Sequence, residues 1–159
     1  MTHSLKLEQF PEKLAIVQLG PGAEIPKWAE SSSLLSITAT ARETTVICAN
    51  RSVPRKSTHV APYIAFAVEG PLDPAMTGVL LSLLGPMAAA EISVFSLSTF
   101  DTDWVLVPIA DAERAAQEWR DAGHEVALAV PVTPREPTRE KGPDKRPDKR
   151  PDKGREKTK

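Results

Sequence analysis

Residues 69–107 read EGPLDPAMTGVLLSLLGPMAAAEISVFSLSTFDTDWVLV, a helix pattern followed by two strand patterns. Asp73-Pro74 predicts the helix start, with a carboxylate at the N-cap and proline at the first helical position. Met76, Leu80, Leu83, Leu84 and Met87 recur at helical spacing and predict the buried stripe. Pro86 lacks an N–H and predicts a kink or an early stop. ISVFSLS (92–98) and DWVLV (103–107) read as strands joined by the four residues Thr99 to Thr102.

Downstream, Asp111 predicts the cap of a second helix in which Ala112, Ala115, Ala116 and Trp119 share one face. Gly123 ends that helix, and HEVALAV (124–130) is the last strand. Immediately upstream, YIAFAVE (63–69) is apolar on both faces and predicts a strand covered on both sides. From Tyr63 onward the order is therefore strand, helix, strand, strand, helix, strand. That order is the split βαβ arrangement of ferredoxin-like folds, with helices on one face of an antiparallel sheet.

The first half is shorter. LAIVQLG (14–20) is a strand ended by Gly20-Pro21-Gly22, and residues 25–30 suit one or two helical turns. LLSITAT (34–40) and TTVICAN (44–50) form a hairpin about Ala41-Arg42-Glu43, and RSVPRKSTHVAP (51–62) reads as a proline-punctuated loop. This βαββ half lacks a closing helix and strand. Its unpaired edges predict that it shares a sheet with the second half. The expected fold class is thus α+β: two ferredoxin-like units, residues 1–62 and 63–130, the first incomplete. Residues 131–159 repeat Pro-Asp-Lys-Arg, offer almost nothing apolar to bury, and predict a disordered charged tail.

Charge and composition narrow the function. Residues 1–130 hold 9 Lys or Arg against 15 Asp or Glu, whereas residues 131–159 hold 11 against 6. An acidic body excludes a specific nucleic-acid interface, which needs a basic face to neutralise phosphates. Residues 74–97 carry one charge, Glu91, but Gly85-Pro86 and the change of period break any span of about 20 apolar residues. No secretory leader pattern is present in residues 1–13. The single Cys48 lies in an apolar strand and suits a buried thiol in a reducing compartment. A soluble, cytoplasmic protein without a membrane partner is expected.

Catalytic patterns are lacking. GPG at 20–22 has neither the Lys nor the long helix of a phosphate loop. His3, His59 and His124 have no metal-ligand spacing, and no serine sits in a nucleophile elbow. Asp101 and Asp103 lack a His or Lys partner, and turn chemistry accounts for them. No enzyme, metal or cofactor is expected.

EGPLD-x-x-x-TGVL, Ala90-Glu91-Ile92-Ser93 and LSTFDTDWVLV resemble the ACT domains of the CASTOR type, which are arginine sensors in animals with many short bacterial relatives. The resemblance covers residues 14–130 and is strongest in the second half. It implies a regulatory module with an amino acid, or a similar small molecule, held at an interface between ACT units. Mapped by motif, it implies ligand contacts at Ile92, Ser93, Thr99, Phe100 and Asp103. Asp103 suits an ammonium or basic side chain through charge-assisted hydrogen bonds, and Phe100 suits an apolar or cation–π wall. Because one chain carries one motif-bearing unit, a homodimer is expected to restore the facing pair. Relatives read A-E-A-G-I-S where this chain has Ala89 and Glu91. If that glycine serves a positive φ, Glu91 strains the loop. The alternative reading is an ACT-like protein–protein interaction module that binds no ligand.

Overall fold

The structure is a computed structural model in which residues 4–129 are described. The end of the last expected strand, His3 and the 131–159 tail lie outside the described residues. Eight strands form one sheet: β1 (Lys6–Gln9), β2 (Leu14–Leu19), β3 (Ser36–Ala39), β4 (Thr44–Ala49), β5 (His59–Val68), β6 (Phe95–Ser98), β7 (Asp103–Pro108) and β8 (Glu125–Leu128). Two α-helices accompany them, α1 (Val79–Ala89) and α2 (Ala112–Asp121). The class is α+β with a ferredoxin-like arrangement.

The ten-residue β5 is the spine. One side of it pairs with β7, from Tyr63↔Pro108 to Ala67↔Trp104, and β7 pairs with β6. Along its other side β2 and β1 lie end to end, through Leu14↔Tyr63 and then Gln9↔Phe66 to Leu7↔Val68. From there β2 continues to β4 and β3, while β1 continues to β8. Every pairing is antiparallel except β1 with β8, which is parallel.

Strand β1 was not expected, because residues 1–13 carry mixed charge. Its signal is alternation over Leu5-Lys6-Leu7-Glu8: both leucines are buried, and Lys6 is exposed and paired with Glu69 at 3.1 Å. Strand β5 also begins four residues before the expected Tyr63, because His59 and Val60 pair with Val17 and Ile16.

Both α-helices cover one face of the sheet. Leu7, Ile64, Phe66, Val68, Val105 and Val107 meet Val79, Leu83, Met87, Ala115, Ala116 and Trp119 in the main core. Trp119 is fully buried, with its ring edge-on to Phe66 at 4.8 Å and its Nε1–H donating to the Leu83 carbonyl at 2.9 Å. A smaller core on that face, with Ala15, Val17, Ala29, Val46 and Cys48, lies beneath the 3-10 turn Lys27–Ala29. The other face of the sheet carries Leu14, Ile16, Ile47, Ala65 and Leu106, and Phe10 stacks on Trp104 there at 4.8 Å.

Helix α1 starts at Val79 rather than at Asp73. Asp73 instead caps a turn, accepting the Ala75 N–H at 2.9 Å, and Gly78 then enters the helix at φ +80°. The later start rotates the buried stripe to Val79, Leu83 and Met87, and leaves Leu80 40% exposed. Pro86 stays inside the helix. It has no N–H for the carbonyl of Ser82, one turn earlier. The buried His124 fills that vacancy: its Nε2 lies 3.2 Å from Ser82 O, and its Nδ1 accepts the Leu5 N–H at 3.1 Å. One imidazole thus fastens β1 to α1.

The expected strand at 92–98 begins only at Phe95, because residues 90–92 close the helix. Ile92 N–H bonds to Met87 O at 2.9 Å and Glu91 N–H to Ala88 O at 3.2 Å, the Schellman pattern. Glu91 holds the left-handed position at φ +55°, where glycine is the unstrained residue.

Candidate functional site

The β6–β7 turn and the approach to α1 flank an open cavity of about 510 Å3. One wall is the hairpin Thr99–Asp103, and the other runs from Leu72 to Leu81. The hairpin is held from inside and from behind. Thr99 N–H bonds to Thr102 O at 2.8 Å, and Ser98 Oγ donates to Asp103 Oδ1 at 2.5 Å. Behind it, Thr102 Oγ1 donates to Val68 O at 2.5 Å, and Leu72 N–H bonds to Asp101 O at 2.8 Å. Gly70 permits this approach, since a Cβ there would stand 3.0 Å from Asp101 O.

This seat orients the chemistry. Asp103 is half-buried, with one oxygen taken by Ser98 and the other bonded to no described residue. Phe100 stands 96% exposed at the hairpin tip. On the facing wall Gly78 provides no side-chain cap to α1, and the helix start lines the cavity with the apolar Val79, Leu80 and Leu81. The arrangement sets an uncapped helix start against a carboxylate, with an apolar rim between them, which suits a small zwitterion or cation.

Thr99, Phe100 and Asp103 come together at this cavity, whereas Ile92 and Ser93 do not reach it. Ile92 is 5% exposed and packs in the main core, and Ser93 is exposed at the far end of β6. Gly70, Leu72, Thr102 and Gly78 belong to the cavity or its seat and were not anticipated. All four lie inside the motif strings EGPLD-x-x-x-TGVL and LSTFDTDWVLV, which is the signal that could have found them.

Elsewhere, burial pushes the Cys48 thiol up from its ordinary range, which makes it a poor nucleophile. Among the described residues no group of three or more His, Cys, Asp or Glu side chains is placed to hold a metal ion, and no helix is long and apolar enough to cross a membrane.

A family profile described as an ACT domain matches residues 59–117, the segment containing the cavity. The protein Atu0741 from Agobacterium tumefaciens is 30% identical, with 82% of this chain and 98% of that one covered and a TM-score of 0.76. This chain carries an ACT domain. A second profile, described as an N-terminal domain, matches residues 12–56. Two aspartate kinase structures share the ACT fold at 8% identity. The Clostridium acetobutylicum enzyme aligns over 76% of this chain and 35% of its own, with a TM-score of 0.58. The regulatory subunit from Thermus flavus aligns over 76% and 97%, with a TM-score of 0.52. No curated protein matches the chain in sequence. ACT domains are regulatory domains, and the ACT segment here carries the cavity.

Proposed function

We propose that this ACT protein is a non-catalytic regulatory module that binds a small ligand, most simply an amino acid, between two copies of the chain. The observation that carries the reading is the cavity between the Thr99–Asp103 hairpin and the N-terminus of α1. An α-carboxylate sits at the uncapped N-terminus of α1, and the ammonium or a basic side chain meets Asp103.

The free edge of β6 supports the dimer. Among the described strands β6 pairs only with β7, leaving a row of unpaired backbone groups. Beside the cavity, α1 has no charged residue, and Leu81 is 76% exposed. If two β6 strands pair antiparallel about a two-fold axis, Phe95 of one lies opposite Ser98 of the other. The partner's Ser93 and the partner's Ile92 backbone then stand beside the hairpin. The five residues that the resemblance points to are split within one chain and joined across such a pair. The lone, buried Cys48 fits a reducing, cytoplasmic setting.

Thermal denaturation in the presence of each of the twenty amino acids tests the proposal. A ligand at a hundred times its dissociation constant adds about 2.7 kcal/mol of stability, a rise of roughly 8 °C for a domain of this size. Asp103→Ala removes that rise while leaving the unliganded melting temperature within about 1 °C. No shift with any amino acid favours the interaction-module reading, for which the exposed Phe100 is the supporting observation.

A further inference from the structure

The described residues end at Ala129, whose N–H bonds to Gln9 O at 2.8 Å and so stands beside Phe10. Phe10 lies on the sheet face that α1 and α2 leave uncovered, with its ring 4.8 Å from that of Trp104. Alternation along the paired strands puts Ala65 and Ala67 of β5 beneath the two rings and Leu97 of β6 beside Trp104. Phe10, Leu97 and Trp104 are half-buried, and Phe95, on the same face of β6, is 39% exposed. An aromatic ridge over small side chains thus crosses β1, β5, β7 and β6, partly open to solvent.

The segment that follows has the period to lie on this ridge. In residues 131–137, PVTPREP, proline recurs every third residue, at Pro131, Pro134 and Pro137. A polyproline II helix has three residues per turn, so these rings share one face, the form that aromatic-lined grooves take up. The later prolines, Pro143, Pro147 and Pro151, recur every fourth residue and drift off any one face. Length agrees as well. Residues 131 to 137 in that form span about 19 Å, and the strand spacings from β8 through β1, β5 and β7 to β6 also come to about 19 Å. Charge points the same way. Glu8, Glu69 and Glu125 border the ridge with Lys6 alone against them, and Glu8 has no ion-pair partner among the described residues. Residues 131–159, by contrast, hold 11 Lys or Arg against 6 Asp or Glu.

We propose that residues 131–137 form a polyproline II strap across the uncovered sheet face, with Pro131, Pro134 and Pro137 on Phe10, Trp104 and Leu97. Arg135 projects off the proline face and pairs with Glu8. The strap takes the place of the disorder expected for this part of the tail, and it closes the aromatic ridge to a second copy of the chain. It uses no residue of the cavity beside α1 and stands or falls apart from the ligand reading.

A nitroxide on the full chain, 15N-labelled and carrying Thr138→Cys, tests this. Cys48 is buried and its thiol is pushed up from its ordinary range, so the new cysteine is the one that takes the label in the folded protein. The amides of Phe10, Leu97 and Trp104 should lose their signals, while those of Glu113 and Gln117 on the outer side of α2 keep theirs. Replacing Pro131, Pro134 and Pro137 together by alanine should restore the lost signals, and replacing Pro143, Pro147 and Pro151 should not, with unchanged spectral dispersion as evidence of folding. No loss at Phe10, Leu97 and Trp104, or an even loss over the whole surface, would overturn the proposal. So would equal restoration by the two sets of proline substitutions. Loss that appears only when unlabelled 15N chain is mixed with nitroxide-bearing chain would assign the ridge to the tail of another copy, and would overturn it too.

Discussion

Residues 12–56 and residues 59–128 extend the same sheet, yet they are held by different means. The second segment buries Leu83, Met87, Phe66 and Trp119 between a sheet and two helices. The first has small side chains under one 3-10 turn, and it relies on polar fastening. Glu12 accepts hydrogen bonds from the Ser33 N–H at 2.6 Å, from Ser33 Oγ and from Arg51 Nη1, and Arg51 Nη2 donates to Ser31 O at 2.6 Å. Those bonds tie the start of β2 to the end of β4 and to the loop before β3. Dispersion and hydrophobic burial grow with side-chain volume, so the two segments should respond differently to truncation. The larger core also lets the ACT segment hold an exposed aromatic and an open helix end at its margin, where a ligand is proposed to bind.

The comparison breaks first at tryptophan. Trp119→Ala removes a fully buried ring and its bond to Leu83 O, and should cost about 3–5 kcal/mol in chemical denaturation. Trp28→Ala, partly buried over the smaller core, should cost about half as much. Equal costs would mean that the N-terminal segment is as firmly packed as the ACT segment.

His124→Ala should cost about 2–3 kcal/mol, because it leaves the Leu5 N–H and the Ser82 carbonyl without partners. Adding Pro86→Ala supplies an N–H for Ser82 O and should recover about 1 kcal/mol of that loss. A strictly additive double mutant would show that Pro86 and His124 do not share the carbonyl.

The smallest effect has the opposite sign. Glu91→Gly relieves a side chain at φ +55° and should stabilise the protein by roughly 1 kcal/mol. A destabilising outcome would mean that the Glu91 carboxylate makes a contact outside this chain.

The same contrast explains what could be read without coordinates. β2, the β3–β4 hairpin, β7 and α2 follow from β-branched runs, turn residues and the alanine–tryptophan face of Ala112–Trp119, all local signals. The end of α1 was only half legible: the glycine position held by Glu91 carried a conditional positive φ, whereas Pro86, read as a kink or an early stop, stays inside the helix. β1 was hidden because only Leu5 and Leu7 mark it, and its place between β5 and β8 is a long-range matter. The start of α1 was misjudged because Asp73-Pro74 caps a turn as well as it caps a helix, and Gly78 decides between them. Thr99, Phe100 and Asp103 were placed together by one short hairpin. Ile92 and Ser93 sit at the other end of β6, a separation that no spacing rule reveals. Gly70 matters through a carbonyl 31 residues away, for which the local sequence has no signal.

The central claim is a ligand held jointly by the hairpin of one copy and the loop before β6 of another. Amide shift mapping with whichever amino acid raises the melting temperature tests it most directly. The account predicts concerted shifts at Thr99–Asp103 and at Glu91–Ser93, with one dissociation constant, in a protein that sediments as a dimer. Shifts at the hairpin alone, in a monomer, would contradict it.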